Sequence, residues 1–192
     1  MLRRLYDWTM DLAARPYAIW ALFAVAFVES SFFPIPPDVL IIPMVLANRP
    51  AWLKIALVAT AGSVLGALFG YWIGAVLMDT LGQQILTIYG KEAAYESLSA
   101  RFDEWGVWAV LIAGLTPFPF KVITIFSGAV HLNLVVFILA AIVARAARFV
   151  IVSWLLWRYG APIRDFIEKR LGLMFTLFLI CLIGGFYLVK YL

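Results

Sequence analysis

Phe33-Pro34-Ile35-Pro36-Pro37-Asp38-Val39-Leu40-Ile41-Ile42 sets three prolines and a carboxylate inside an apolar run. Proline lacks a backbone N–H and its ring clashes with the preceding turn, so no helix passes intact through three of them. In lipid, a broken backbone is tolerated only where protein or a water-filled cavity satisfies its polar groups. The stretch therefore predicts a buried, polar-lined break within a membrane-embedded segment. The same frame returns 83 residues later, at Thr116-Pro117-Phe118-Pro119-Phe120-Lys121-Val122-Ile123-Thr124-Ile125. Both copies read Pro-x-Pro-x-charge-Val-aliphatic-x-Ile, with Asp38 of the first replaced by Lys121 in the second.

Composition agrees with a membrane setting. The 192 residues are 65% hydrophobic with a mean hydropathy of +0.99, where soluble domains are about 45–50% apolar. One cysteine, Cys181, and one histidine, His131, leave no disulfide framework, thiol cluster or histidine-rich metal site. No metal or cofactor is expected. The net charge of +4 reads as the basic excess of cytoplasmic loops rather than as a nucleic-acid surface. Asp7 and Asp11 interrupt any signal-peptide pattern.

The expected fold is an all-α integral membrane protein in a single domain: an inverted repeat of two opposed re-entrant helical hairpins plus transmembrane helices. Residues 1–14 alternate apolar and charged positions at helical spacing, as in an interfacial helix. Residues 15–48 form the first hairpin. Its return arm, Val39–Asn48, is ten residues, roughly 15 Å at 1.5 Å per residue, half of a bilayer core of about 30 Å. Residues 51–78 form a full span whose Gly62, Gly66, Gly70 and Gly74 make a flat stripe for helix packing. Residues 79–105 read as an amphipathic connector. Residues 106–131 form the second hairpin, with half-bilayer arms. A span at 133–157, a basic loop at 158–172 and a final span at 173–191 follow. Pro34, Pro36, Pro37, Pro117 and Pro119 mark the hairpin tips. With both hairpins re-entrant, nine lysines and arginines fall on the cytoplasmic side, three outside and three within the membrane. A topology in which both proline segments span divides them equally well, so the short arms, not the charges, select the hairpins.

Five ionisable residues lie at membrane depth: Glu29, Asp38, Lys121, Arg145 and Arg148. Each costs roughly 2.5–3.5 kcal/mol at a helix centre, so they must pair, meet water or bind a ligand. The acids belong to the first repeat and the bases to the second, and facing tips bring them together. Two carboxylates against three cations leave one positive charge, suited to an anionic group such as a phosphate, for which arginine offers bidentate geometry. Asp38 and Lys121 hold matching repeat positions, which favours a shared site. Hydrolase, zinc-peptidase, dithiol and phosphate-loop motifs are all missing, so an enzyme is not expected.

At these residues the chain resembles the DedA family, also called the VTT or SNARE-associated domain family, and within it the YqaA-like subgroup. The likeness rests on Glu29-x4-Pro34-x-Pro36-Pro37-Asp38, Gly66-x3-Gly70-Tyr71-x2-Gly74, the Thr116–Gly128 hairpin and Arg145-x2-Arg148, across most of 15–160. The resemblance implies two opposed re-entrant hairpins in the bacterial inner membrane, in a multi-pass protein. It also implies movement of lipid between leaflets, either undecaprenyl phosphate or phospholipid, with coupling to protons. Functional acids of the first hairpin and bases of the second half map onto Glu29, Asp38, Arg145 and Arg148. The family's arginines around the second hairpin's proline are absent; Lys121 is the only lysine or arginine in 107–131, so the lipid's identity does not carry over.

The expectation is thus a flippase or scramblase. Arg145, Arg148 and Lys121 hold a phospholipid or polyprenyl-phosphate head group, while Glu29 and Asp38 neutralise the bases in the empty site and exchange protons. Self-association into a homo-oligomer is compatible with the sequence. The rival readings are a proton-coupled exporter of small cations or drugs, which needs an uncompensated acid, and a structural protein whose charges only fasten its halves together.

Overall fold

The computed structural model of the chain describes residues 17–33, 36–116 and 118–189, and the side chains among them other than those of 94, 161 and 163–189. The interfacial helix expected at 1–14, Pro34 and Pro117 lie outside the described residues. Every regular element among the described residues is helical. Helix α1 (Ala18–Ser31) stops short of the prolines. Pro37 then stands at the N-cap of α2 (Asp38–Ala47). A 3₁₀ turn at Arg49–Ala51 leads into α3 (Trp52–Leu77), continued by a π-helical turn (Met78–Gly82) and α4 (Gln83–Tyr89). Gly90, at φ 59°, takes the left-handed conformation that ends α4. Helix α5 (Glu92–Leu115), α6 (Phe120–Ala129) and α7 (Leu134–Val189) complete the order.

Helix α3 is the post around which the rest is arranged. Its glycines lack the Cβ atoms that would hold neighbours off. Gly62 and Gly66 lie against the backbone of Phe23 and Phe27 in α1, and Gly74 against Ile125 in α6. Gly70 sits where the two meet, touched by Ser30 of α1 and Thr124 of α6. Helices α1 and α6 thus follow one another along the same face of α3. Helix α7 runs the opposite way: Phe137 stacks near Tyr71, Arg145 bonds Ser63, and Trp157 stacks on Trp52.

Two apolar cores flank this junction. One gathers Leu22, Ile41, Val45, Ile55, Ala59 and Phe149; the other gathers Ala67, Val110, Phe120, Val130 and Phe137. Between them lie the buried Ser30, Ser31, Ser63, Thr124 and Arg145. The outward faces are apolar as well. Leu57, Leu65 and Trp72 on α3 and Val135, Leu139 and Val143 on α7 are exposed. Water would penalise such a belt and lipid tails would not. Two helical stretches, Arg49–Tyr89 and Leu134–Gly160, are long and apolar enough to cross a bilayer.

Three expectations change. The connector at 79–105 is not one element: its first part prolongs α3, and its second part is continuous with the hairpin arm expected from Gly106, as α5. No proline interrupts 92–115, and an isolated glycine costs a helix only about 1 kcal/mol. The basic loop at 158–172 is helical, because α7 runs unbroken from Leu134 to Val189 with Pro162 inside it. Arg, Lys, Glu and Leu are good helix formers, and a run of charge is not a break. The separate span expected at 173–191 is the distal part of that same helix.

Candidate functional site

Each proline break leaves a helix end with orphaned carbonyls. The embedded cations reach two of these ends. At the end of α1, Lys121 Nζ donates to the Phe32 carbonyl (3.4 Å) and Thr124 Oγ1 donates to that of Ser30 (2.9 Å). At the end of α5, Arg148 Nη1 donates to the carbonyl of Thr116. Positive charge at a helix C-terminus also complements its dipole, as Asp38 in the first turn of α2 complements the opposite pole.

Two ion pairs cross the layer. Arg145 Nη2 donates to Glu29 Oε2 at 2.6 Å, with the side chains only 2% and 13% exposed. Its guanidinium carbon lies over the rings of Phe120 and Phe149, 4.8 and 4.6 Å from their centroids, and its Nε donates to Ser63 Oγ at 2.6 Å. Arg148 Nη2 donates to Asp38 Oδ2 at 2.9 Å. The Arg148 Nε is buried without a partner. Arg145 and Arg148, three residues apart on one face of α7, thus have different surroundings: the first is bonded through its Nε and Nη2, while the Nε of the second has no partner.

The structure brings four of the five embedded residues into two pairs. Glu29, Asp38, Arg145 and Arg148 form the paired charges. Asp38 and Lys121, expected to share a site, do not bond each other. Asp38 meets Arg148, and Lys121 goes to the end of α1, where the break in the backbone leaves carbonyls to satisfy. Among the described residues, Lys121 is the embedded cation without a carboxylate partner. Pro37 and Pro119 occupy the residues just before α2 and α6. Sequence reading missed Ser30, Ser63, Thr124, Phe120 and Phe149. Their signal was faint: a Ser-Ser pair directly after Glu29, and a serine beside Gly62 on the packing helix. It also missed the contact of His131 Nε2 with Asp79 Oδ1 (3.1 Å), which ties the turn after α6 to the π-helical turn. The nearby Tyr95 hydroxyl donates to the Ala129 carbonyl. Burial, and then the Asp79 carboxylate, push its pKa up.

The Asp38–Arg148 pairing has its own test. In a double-mutant cycle of Asp38→Asn and Arg148→Gln, read by unfolding in detergent, a coupling of about 1–3 kcal/mol is expected. The corresponding cycle of Asp38→Asn and Lys121→Gln is expected to be additive. Coupling to Lys121 instead of Arg148 would overturn the assignment.

An apolar outer belt, two bilayer-length helices and a charged layer enclosed between two cores define a helical membrane protein. The chain belongs to the VTT domain family, the DedA family, whose profile matches residues 16–158. This family is generally linked to membrane transport and is not a family of enzymes. An uncharacterised protein of Haemophilus influenzae is 36% identical over 168 residues, 85% of this chain and 87% of that protein. One of Histophilus somni matches to the same extent. One from the archaeon Methanocaldococcus jannaschii is 27% identical over 134 residues, 70% of this chain and 81% of its own. No solved structure matches.

Proposed function

We propose that the protein moves a phosphate-bearing lipid between the leaflets of the bacterial inner membrane. The observation that carries this reading is the surplus of positive charge in the buried layer. Glu29 and Asp38 neutralise Arg145 and Arg148. Lys121 remains, half-buried, with one long bond to a carbonyl, and Arg148 keeps an unpartnered Nε. An anionic head group supplies what both lack. The exposed Phe32 and Phe33 adjoin this layer at the tip of the first hairpin, and acyl chains would stay in lipid against such a surface.

In this reading α1–α2 and α5–α6 are re-entrant hairpins of an inverted repeat, entering from opposite faces and meeting at the membrane centre. Helices α2 and α6, ten residues each, reach about 15 Å. The chain is multi-pass, with its basic end cytoplasmic. A phosphate would displace carboxylate from Arg148, and protonation of Asp38 or Glu29 would lower the cost of that exchange, coupling transport to protons. Arg145, enclosed by Glu29, Ser63 and two rings, would act on the head group through the charge it shares with Arg148. The cation-exporter reading requires an uncompensated acid in the layer, and both acids there are paired.

The test is reconstitution into liposomes with fluorescent phospholipid in both leaflets and an external quencher. Native protein should expose the inner-leaflet label, and Lys121→Gln and Arg148→Gln should each slow this about tenfold or more, corresponding to roughly 1.4 kcal/mol. If the native chain moves neither glycerophospholipid nor a labelled polyprenyl phosphate, the proposal fails.

A further inference from the structure

We infer that Ser30 and Ser63 are positioning residues of the charged layer: their hydroxyls form a one-way hydrogen-bond chain from Arg145 to Glu29 that fixes both. The inference about transport rests on the lipid-moving function proposed above. The hydrogen-bond chain itself rests on geometry alone.

A proton inventory fixes every direction. Arg145 Nε–H has no lone pair to accept with, so at 2.6 Å it donates and Ser63 Oγ accepts. Ionised Glu29 only accepts, so Ser30 Oγ, at 3.0 Å from Oε2, spends its single proton there. The 2.6 Å contact between the two hydroxyls leaves the donor open on distance alone. Since the Ser30 proton is committed, Ser63 must donate to Ser30. The chain therefore runs Arg145 Nε to Ser63 to Ser30 to Glu29 Oε2. Arg145 Nη2 reaches the same Glu29 oxygen directly, so two donor branches leave one guanidinium and end on one carboxylate oxygen. All the dipoles point the same way, and each bond polarises the next.

The chain also joins three helices. Glu29 and Ser30 end α1, Ser63 stands on α3, and Arg145 stands on α7. Close approach at Gly62 and Gly66 brings α1 within hydroxyl reach of Ser63. The rings of Phe120 and Phe149 attract the guanidinium, but that attraction leaves it free to rotate. The Nε bond to Ser63 stops that rotation and aims Nη2 at Glu29. Neither serine touches the layer's other pair, Asp38 and Arg148. They act on a head group only through the position of Arg145 and Glu29.

Two readouts test this, one independent of transport. In infrared difference spectra of the purified protein, the Glu29 carboxylate band, identified by its loss in Glu29→Gln, is expected to shift in Ser30→Ala. It should also shift in Ser63→Ala, although Ser63 makes no bond to Glu29. A band unmoved by Ser63→Ala would overturn the chain whether or not the protein carries lipid. In the liposome assay, Ser30→Ala and Ser63→Ala are each expected to lose about tenfold in rate. Their combination should lose no more than the worse single variant, because both cut the same chain. Ser63→Thr, which keeps the hydroxyl, should exceed Ser63→Val, which matches its shape without one, by at least about fivefold. Native rates in Ser63→Ala, losses that multiply in the double variant, or equal rates for threonine and valine would each defeat the positioning role. A native protein that moves no lipid would defeat the transport reading and leave the infrared result to decide the chain.

Discussion

Arg145→Ala is expected to lower the stability of the protein in detergent by roughly 3–5 kcal/mol, the usual consequence of breaking a buried ion pair from one side. Arg145 is the most deeply enclosed charge among the described residues, at 2% exposure. Its removal leaves Glu29 facing a serine hydroxyl and no cation. It also opens a gap beside the rings of Phe120 and Phe149. The two losses separate in a cycle with Glu29→Ala. Removing both charges should recover a large part of the damage, because the uncompensated carboxylate goes with its partner, while the cavity term stays. Unfolding of Arg145→Ala at the native midpoint would mean that the pair is not enclosed as described. This expectation bears on how transport assays are read. An inactive Arg145→Ala protein would not identify a ligand contact, since the layer itself would be disturbed. Lys121→Gln is the more discriminating change. Its single bond, 3.4 Å long to a carbonyl, contributes little to holding the fold, so a loss of transport there reports on the anion.

The proline pairs were legible because their physics is local. Three prolines stop a helix wherever the chain lies, and α1 and α2 are separated by them as expected. That the embedded acids of the first half meet bases of the second half was legible too, because a charge in lipid needs a partner, whether an opposite charge or a backbone carbonyl. Which acid meets which base was not. The matching positions of Asp38 and Lys121 suggested one shared site, but the pairing is decided by helix ends. Lys121 goes to open carbonyls at Phe32, and Arg148, reaching from α7, spans both Asp38 and Thr116. Nothing in the sequence spacing encodes that reach. The extent of α7 was misread for a different reason. Charge density at 158–172 resembles a loop in a hydropathy profile, whereas helix continuity depends on backbone propensity, which those residue types supply. The serine chain was hidden because serine is common and carries a signal only when a partner from another helix is known.

The second large effect concerns the crossing of α3 and α6. Gly74→Ala and Gly128→Ala should each destabilise the protein by about 1–3 kcal/mol or more, seen as a fall in the thermal midpoint in detergent. A methyl on Gly74 would overlap the Ile125 carbonyl oxygen, and one on Gly128 would overlap that of Tyr71. Both obstacles are helical backbone, which has no rotamer to change, so the helices must part. Gly82→Ala is the control: its methyl would press mainly on the flexible side chain of Met78, and the midpoint should move much less. The two damaging changes face each other across one crossing, so their effects should not add. Once one methyl has separated the helices, the second fits into the space already opened. Function should fall with stability here for a specific reason. Helix α6 carries Lys121 and Thr124, and the crossing at Gly74 and Gly128 sets how closely they approach the end of α1. An outward shift of α6 would lengthen the bond of Lys121 Nζ to the Phe32 carbonyl, already 3.4 Å, unless the lysine stem re-extends. Gly74→Ala protein that remains folded at low temperature should therefore move lipid more slowly than its residual stability alone would explain. Native transport in that folded variant would show that the contact between α6 and the end of α1 tolerates displacement, and would overturn this expectation.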